Sequence, residues 1–423
     1  MDDISKNQDQ NIENENPISS KILKHKIFLI FIFLLFTIEY FFREFLYSLS
    51  PSFIIYIQKN LSFLFSLGNF FSFFGNEKGQ FLILVLSYNF LSTYKTIIII
   101  FTAGISVLIG GFLKLIYISP RPFMTNINII IFNCEGGWGN PSIHSILSTC
   151  LYLTLYKIII AQNKNFNNNE KKNYFIFTLF FIICICLSRL LLGVHSINQV
   201  IFGFCLGLSI FYILFYIIEL NSDNYNQFYN LIINIDKIIL YSILIMIISL
   251  LPFFYFKPNS NDILIWDKII DMKCPGYSNY KKFEYESFAC IATFTYVITS
   301  FIGCYVEFYY IFNSNISNWK RYNFNLDNDN EINFLNNDNK NTLWNSTDII
   351  KSLKRLIFVI LFILILLIPY FLIPLSLSYT FVLIFKMVLP VSFATFFMFC
   401  YLKRICAKFD LTNESLFENS IDV

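Results

Sequence analysis

Apolar residues in this chain come in long unbroken blocks, not at the alternate or every-third-and-fourth positions of water-facing elements. Blocks at 27–46, 80–92, 96–113, 143–162, 174–189, 196–220, 237–255, 288–311, 356–373 and 380–402 predict about ten transmembrane helices. Most are near the roughly 20 residues that a bilayer requires, and two are short. The expected fold is an all-α integral membrane protein. The first block follows Lys21, Lys24 and Lys26 and is too long and too poorly terminated for a cleaved leader, so it predicts a signal anchor. Up to residue 79 the pattern stays aromatic but is interrupted by Pro51, Lys59, Gly68, Asn76, Glu77 and Lys78, which predicts interfacial or re-entrant helices. Residues 1–20 have almost nothing to bury and predict a disordered cytosolic tail. Residues 407–423 form a second tail, and the Asn-rich, Asp-rich and Lys-rich loops at 163–173 and 313–348 read as cytosolic spacers.

Composition closes off other classes. Of the 423 residues, 56% are hydrophobic and 14% charged, with a mean hydropathy of +0.58, too apolar for a water-facing surface. A net charge of +3, with no Lys/Arg-rich arm, excludes a nucleic-acid binder relying on bulk electrostatics. Ten cysteines sit mostly inside apolar blocks (Cys150, Cys184, Cys186, Cys205, Cys290, Cys304 and Cys400), with no Cys-x-x-Cys, so neither a disulfide scaffold nor a metal site is expected. Placing the basic N-terminus in the cytosol and alternating sides puts most of the 31 Lys and Arg in the cytosol. Asn60 is then the one acceptor sequon on the outer side, and those at Asn315, Asn345 and Asn413 face the cytosol. Lys386 and Glu307 fall within blocks at different depths, so each is expected to snorkel and not to pair.

Three polar groups share the outer side in this arrangement. Lys114 and Arg121 emerge at the end of one span in Lys114-Leu-Ile-Tyr-Ile-Ser-Pro-Arg121-Pro122. The run Cys134-Glu-Gly-Gly-Trp-Gly-Asn-Pro141-Ser142-Ile-His144 opens the next helix, and Ser188-Arg189-Leu-Leu-Leu-Gly-Val-His195 ends the span after that. Lys114, Arg121 and Arg189 supply converging positive charge, and guanidinium forks pair two phosphoryl oxygens at once. Asn140 as N-cap, with Pro141 at the first helical position, predicts free backbone amides beside the Ser142 hydroxyl, an anion site. Two imidazoles beside such an anion can divide the work, one attacking phosphorus and the other protonating the departing oxygen.

The three blocks resemble the type 2 phosphatidic acid phosphatase superfamily, whose signature is Lys-x6-Arg-Pro, Pro-Ser-Gly-His and Ser-Arg-x5-His-x3-Asp. The match runs from Lys114 to Gln199, with a six-helix phosphatase core at 80–220 and further transmembrane helices over 221–406. The resemblance implies that His195 is the nucleophile and His144 the general acid. It also implies that Lys114, Arg121, Ser142 and Arg189 hold the phosphoryl oxygens and that no metal or other cofactor is needed. Ile143 replaces the family glycine and predicts a narrower pocket. Gln199 replaces the aspartate that orients the nucleophile; it can orient through its carbonyl oxygen but brings no charge, and Ser196-Ile-Asn-Gln199 also has capping-box spacing.

Gln199 and the Cys134-Glu-x-Gly-x-Gly-x-Pro-Ser run are similar to the glucose-6-phosphatase branch, whereas Ser-Arg-x5-His-Ser-Ile is similar to the sphingosine phosphate phosphatase branch. The expected activity is hydrolysis of a lipid phosphate ester in the bilayer through a phosphohistidine, with the site lumenal and the endoplasmic reticulum implied by kinship. The alternatives are a sugar phosphatase and a catalytically silent phospholipid-binding relative.

Overall fold

In a computed structural model of the chain, residues 17–132, 134–161, 163, 165–221, 224–256, 260–274, 284–316, 319, 349–374 and 377–412 are described. All of their regular structure is helical. The expected tail at 1–20 falls largely outside these residues, as do Asn345, Asn413 and most of the 313–348 spacer. Among the described residues, eight helices are long and apolar enough to cross a bilayer: His25–Asn60, Thr93–Thr125, Ile143–Ala161, Asn168–Leu191, Ile197–Ile217, Ile235–Tyr255, Glu286–Ile311 and Val382–Cys400. The protein is an integral membrane protein.

Two expected spans are not among the eight, each for a local reason. Helix α1 (Pro17–Asn60) runs unbroken through Pro51 and takes in the first part, to Asn60, of the stretch to residue 79 that the pattern assigned to interfacial or re-entrant helices. Its C-terminal half stays helical because one face carries Glu39, Ser50, Ile54 and Gln58, all buried, at the spacing that keeps side chains in one line. After it, α2 (Phe65–Phe73) and α3 (Glu77–Phe90) form two halves of a broken path. α2 packs along the end of a later helix, with Phe71 and Phe74 around Phe181. The chain then turns at Gly75 and restarts where Asn76 Oδ1 accepts from the amides of Lys78 and Gly79. The expected 80–92 span is therefore the second half of a discontinuous helix, which lipid-spanning chains tolerate where the break is packed against protein. The expected span at 356–373 is broken at Leu367, and its 18-residue helical part carries Lys351, Lys354 and Arg355.

Helices α4 (Thr93–Tyr117), α5 (Pro122–Thr125), α6 (Ile143–Leu155), α7 (Asn168–Leu191) and α8 (Ile197–Tyr212) follow. α6 packs against both α4 and α8. Gly203 and Gly207, four apart on α8, let the α6 backbone approach: a Cβ at either would meet the carbonyl of Ser142 or Ile146. Beyond these come α9 (Tyr225–Ile233), α10 (Ile235–Leu250), α11 (Pro252–Tyr255), α12 (Ser260–Lys273), α13 (Glu284–Ala292) and α14 (Thr295–Val306). The chain ends in α15 (Ile349–Leu366), α16 (Ile368–Leu372), α17 (Tyr379–Phe381), α18 (Leu389–Cys400) and α19 (Leu402–Lys408). α13 lies along α4 and α14 against α18, so the later helices are packed onto the earlier ones.

The two charges expected to snorkel do not pair with each other, but neither reaches an interface freely. Glu307 is buried, pairs with Lys403 at 3.4 Å and accepts from Trp319 Nε1. Lys386 donates to the Ile373 carbonyl at 2.7 Å and sits over the Tyr370 ring. Partners within the bundle satisfy both.

Candidate active site

The C-terminal ends of α4 and α7, the N-terminal ends of α6 and α8, and the start of α13 meet at one end of the bundle. There Lys114, Arg121 and Arg189 are fully buried. They alternate with two carboxylates in one continuous chain of ion pairs. Lys114 Nζ lies 2.6 Å from Glu286 Oε1, and Glu286 Oε2 lies 2.8 Å from an Arg121 amino group. The other Arg121 amino group is 2.8 Å from Glu135 Oε2, and Glu135 Oε1 pairs with Arg189. Burial opposes the charge on Glu135, but Arg189 and Arg121 outweigh it and hold its carboxyl well below the usual range. Neither carboxylate was expected as a site residue; a concentration of three buried cations was the signal that anions had to be near.

His195, in the short turn between α7 and α8, lies at the middle of this chain. Its Nε2 is 3.1 Å from an Arg121 amino group, and its Nδ1 is 3.0 Å from the Gly139 carbonyl and 3.1 Å from Gln199 Oε1. Both neighbours of Nδ1 are acceptors, so Nδ1 carries the proton and Nε2 keeps its lone pair. Burial, then Arg121 and Arg189, push the His195 pKa well below its usual value, with Glu135 pulling the other way. The ring is therefore neutral at pH 7.

Gln199 holds both roles that its spacing allowed. Its Oε1 accepts from His195 Nδ1 and from the Ser196 amide at 3.1 Å, closing a capping box at the start of α8. Its Nε2 donates to the Pro120 carbonyl at 2.9 Å, which fixes the amide with its oxygen toward the histidine. Gln199→Asp is expected to keep or raise turnover, because either carboxylate oxygen can accept from Nδ1; complete loss would make the cap its essential function.

The start of α6 differs from the expectation. Asn140 is not the cap: the Asn140–Pro141 bond is cis, Asn140 Nδ2 donates to Glu39 at 2.7 Å, and Ser142 caps a helix that begins at Ile143. The Ser142 hydroxyl is buried without a hydrogen-bond partner among the described residues, as is Arg189 Nε. Two buried polar atoms with no partner, at a site of net positive charge, mark where an anion fits. His144 packs against Gly75 at the break between α2 and α3 and lies within electrostatic reach of Arg189, Glu135, Arg121 and Lys114, the four charges that also act on His195. Ile143 turns toward Gly110 of α4, so the bulk of this residue is accommodated by a glycine and not by the site.

With that geometry in place, residues 95–223 match the family model of the PAP2 superfamily. That stretch, 129 of the 423 residues, is similar to that superfamily. No curated protein and no solved structure matches the chain. The members of the PAP2 superfamily are phosphatases, and the matched segment holds Lys114, Arg121, Ser142, His144, Arg189, His195 and Gln199, all of which the fold brings to one end. Among the described residues, no group of three His, Cys, Asp or Glu side chains is placed to hold a metal ion.

Elements outside the PAP2 match complete the site. Cys134 and Cys274 form a disulfide, contrary to the expectation from cysteine spacing, and tie the loop carrying Glu135 to the end of α12. Beside it Trp138 meets Trp266 edge to face, and Lys273 donates to the carbonyls of Phe123, Asn126 and Ile129. Replacing Cys134 and Cys274 by serine is expected to cost about 2–4 kcal/mol, seen as a lower thermal midpoint; an unchanged midpoint would count against a stabilising role.

Proposed function

We propose that the protein hydrolyses a lipid phosphate monoester at the lumenal or outer face of a membrane, the endoplasmic reticulum in the first instance, through a phosphohistidine. The observation that carries this reading is the placement of His195 Nδ1 against two acceptor oxygens. Its Nδ1 proton is fixed by Gly139 and Gln199, which leaves the Nε2 lone pair directed at the cation cluster. In the first step that lone pair attacks phosphorus, the bond to the leaving oxygen breaks, and His144, which takes up a proton as the anionic phosphate enters beside it, gives that proton to the alkoxide. The positive charge that develops on the ring is spread through Nδ1–H to two acceptors. Water then attacks the phosphohistidine, His144 takes its proton back, and inorganic phosphate leaves with His195 neutral. Lys114, Arg121, Ser142 and Arg189 hold the phosphoryl oxygens as charge spreads in the transition state.

A lipid substrate suits a site built at the ends of apolar helices, because the head can reach these groups while the tails remain in hydrocarbon. The Cys134–Cys274 disulfide lies at the histidine end of the bundle, and disulfides persist in oxidising compartments, which supports the lumenal or outer side. A sugar phosphatase is the second reading, favoured by Gln199 and the run from Cys134 to Ser142. Inorganic phosphate release by detergent-solubilised protein from a sphingoid phosphate, a phosphatidate and a hexose phosphate separates the two. Release from the lipids is expected; release from the hexose phosphate alone selects the second reading, and none from any selects a silent phospholipid binder.

A further inference from the structure

Glu286 lies on α13, outside the stretch that matches the PAP2 superfamily, yet its carboxylate bridges two phosphate-binding cations. Lys114 and Arg121 are fully buried, whereas the Glu286 side chain is 34% exposed, so the carboxylate enters the cluster from its rim. The surroundings are shaped to admit it. Gly137 has φ of +75°, and a Cβ there would collide with Glu286 Oε2. α13 is held close against α4 at Gly111, which faces the Ser287 carbonyl and Cys290. The Cys134–Cys274 disulfide fixes the opposing loop.

A carboxylate that places one oxygen on Lys114 and the other on Arg121 makes the contacts that two phosphoryl oxygens would make. Both anions cannot hold those donors together. We propose that Glu286 is an internal competitor that holds Lys114 and Arg121 in place of the substrate phosphoryl group, swings outward when that group binds, and so sets the threshold an anion must exceed to enter. This rests on the phosphatase reading above. Charge then sets selectivity. With Glu286 displaced, the ion-pair chain keeps three cations against the Glu135 carboxylate, and a phosphomonoester dianion brings that chain to neutrality. A singly charged diester replaces one negative charge by another and gains little.

The test measures binding of inorganic phosphate and of dimethyl phosphate to the full-length protein in detergent by calorimetry. Glu286→Gln keeps the shape and removes the competing charge, so it is expected to tighten phosphate by about tenfold or more. It should also improve dimethyl phosphate by about the same factor, because both anions displace the same carboxylate, and the wild type, unlike the variant, should bind the diester barely at all. Glu286→Asp, too short to bridge both cations, is expected to tighten phosphate by less and serves if the first variant does not fold. Wild-type protein that binds phosphate, with either folded variant no tighter, would overturn the proposal and make Glu286 a brace for Lys114 and Arg121. Wild-type protein that binds no phosphate would overturn the site reading itself, and this proposal with it.

Discussion

His195→Ala is expected to lower phosphate release by about 10⁴-fold or more and to remove any acid-labile phosphoenzyme. The loss is chemical and not structural. Gln199 Oε1 still caps α8 through the Ser196 amide, and the Arg121 amino group that faced Nε2 retains Glu135 and the Val194 carbonyl. The variant should therefore elute and melt like the wild type while failing to turn over. Full activity would remove His195 from its assigned role. The same group sets the acid side of the rate profile. Burial and the two arginines favour its neutral form, and protonation would take the lone pair that attacks phosphorus. The His195 contribution to kcat/KM, which reports the free enzyme, is thus expected to be constant near pH 7 and to fall only as pH drops through a value well below the ordinary 6.5. A nucleophile titrating above 6.5 in such a profile would contradict the environment described here.

The residues legible in the sequence were those whose relation is local or repeated along adjacent spans. Lys114 and Arg121 flank one helix end, Ser142 and His144 open the next, and Arg189, His195 and Gln199 bracket one turn, so alternation of sides alone brought them together. Gln199 was legible even in its double role, because capping and orientation both follow from its position four residues after His195. Glu286 and the Cys134–Cys274 pair were not, since each depends on how distant helices pack; the cysteines are 140 residues apart. A signal did exist for the disulfide: Cys134 and Cys274 fall outside the apolar blocks and share one side in the expected alternation, unlike the cysteines that guided the expectation. Composition also misled at the N-terminus. The aromatic stretch after residue 46 looked interfacial on account of Pro51 and Lys59, but its other polar residues pack inward: Ser50 accepts from the Ile197 amide and Gln58 bonds the backbone of Ile130 and Leu191. They fasten α1 to the site loops, a function that no period in the sequence records.

Arg121→Lys is expected to lower turnover by about 10²–10³-fold while leaving the protein folded. Arg121 is the hub of the site. Its Nε donates to the carbonyls of Gly136 and Gly137, one amino group serves Glu135, Val194 and His195, and the other serves Glu286. Lysine preserves the charge that two carboxylates require, so the buried ion pairs keep a partner. Its single ammonium cannot span acceptors on opposite sides of a planar fork, so it cannot at once position the loop, steer His195 Nε2 and hold a phosphoryl oxygen. Arg121→Ala separates these effects, because it also strands the carboxylates, and losing one member of a buried pair costs about 3–5 kcal/mol. The alanine variant should therefore melt well below the lysine variant, and both should be nearly inactive. If Arg121→Lys turned over within a few-fold of the wild type, positive charge alone would suffice at this position, and the geometry of the guanidinium would carry no part of catalysis.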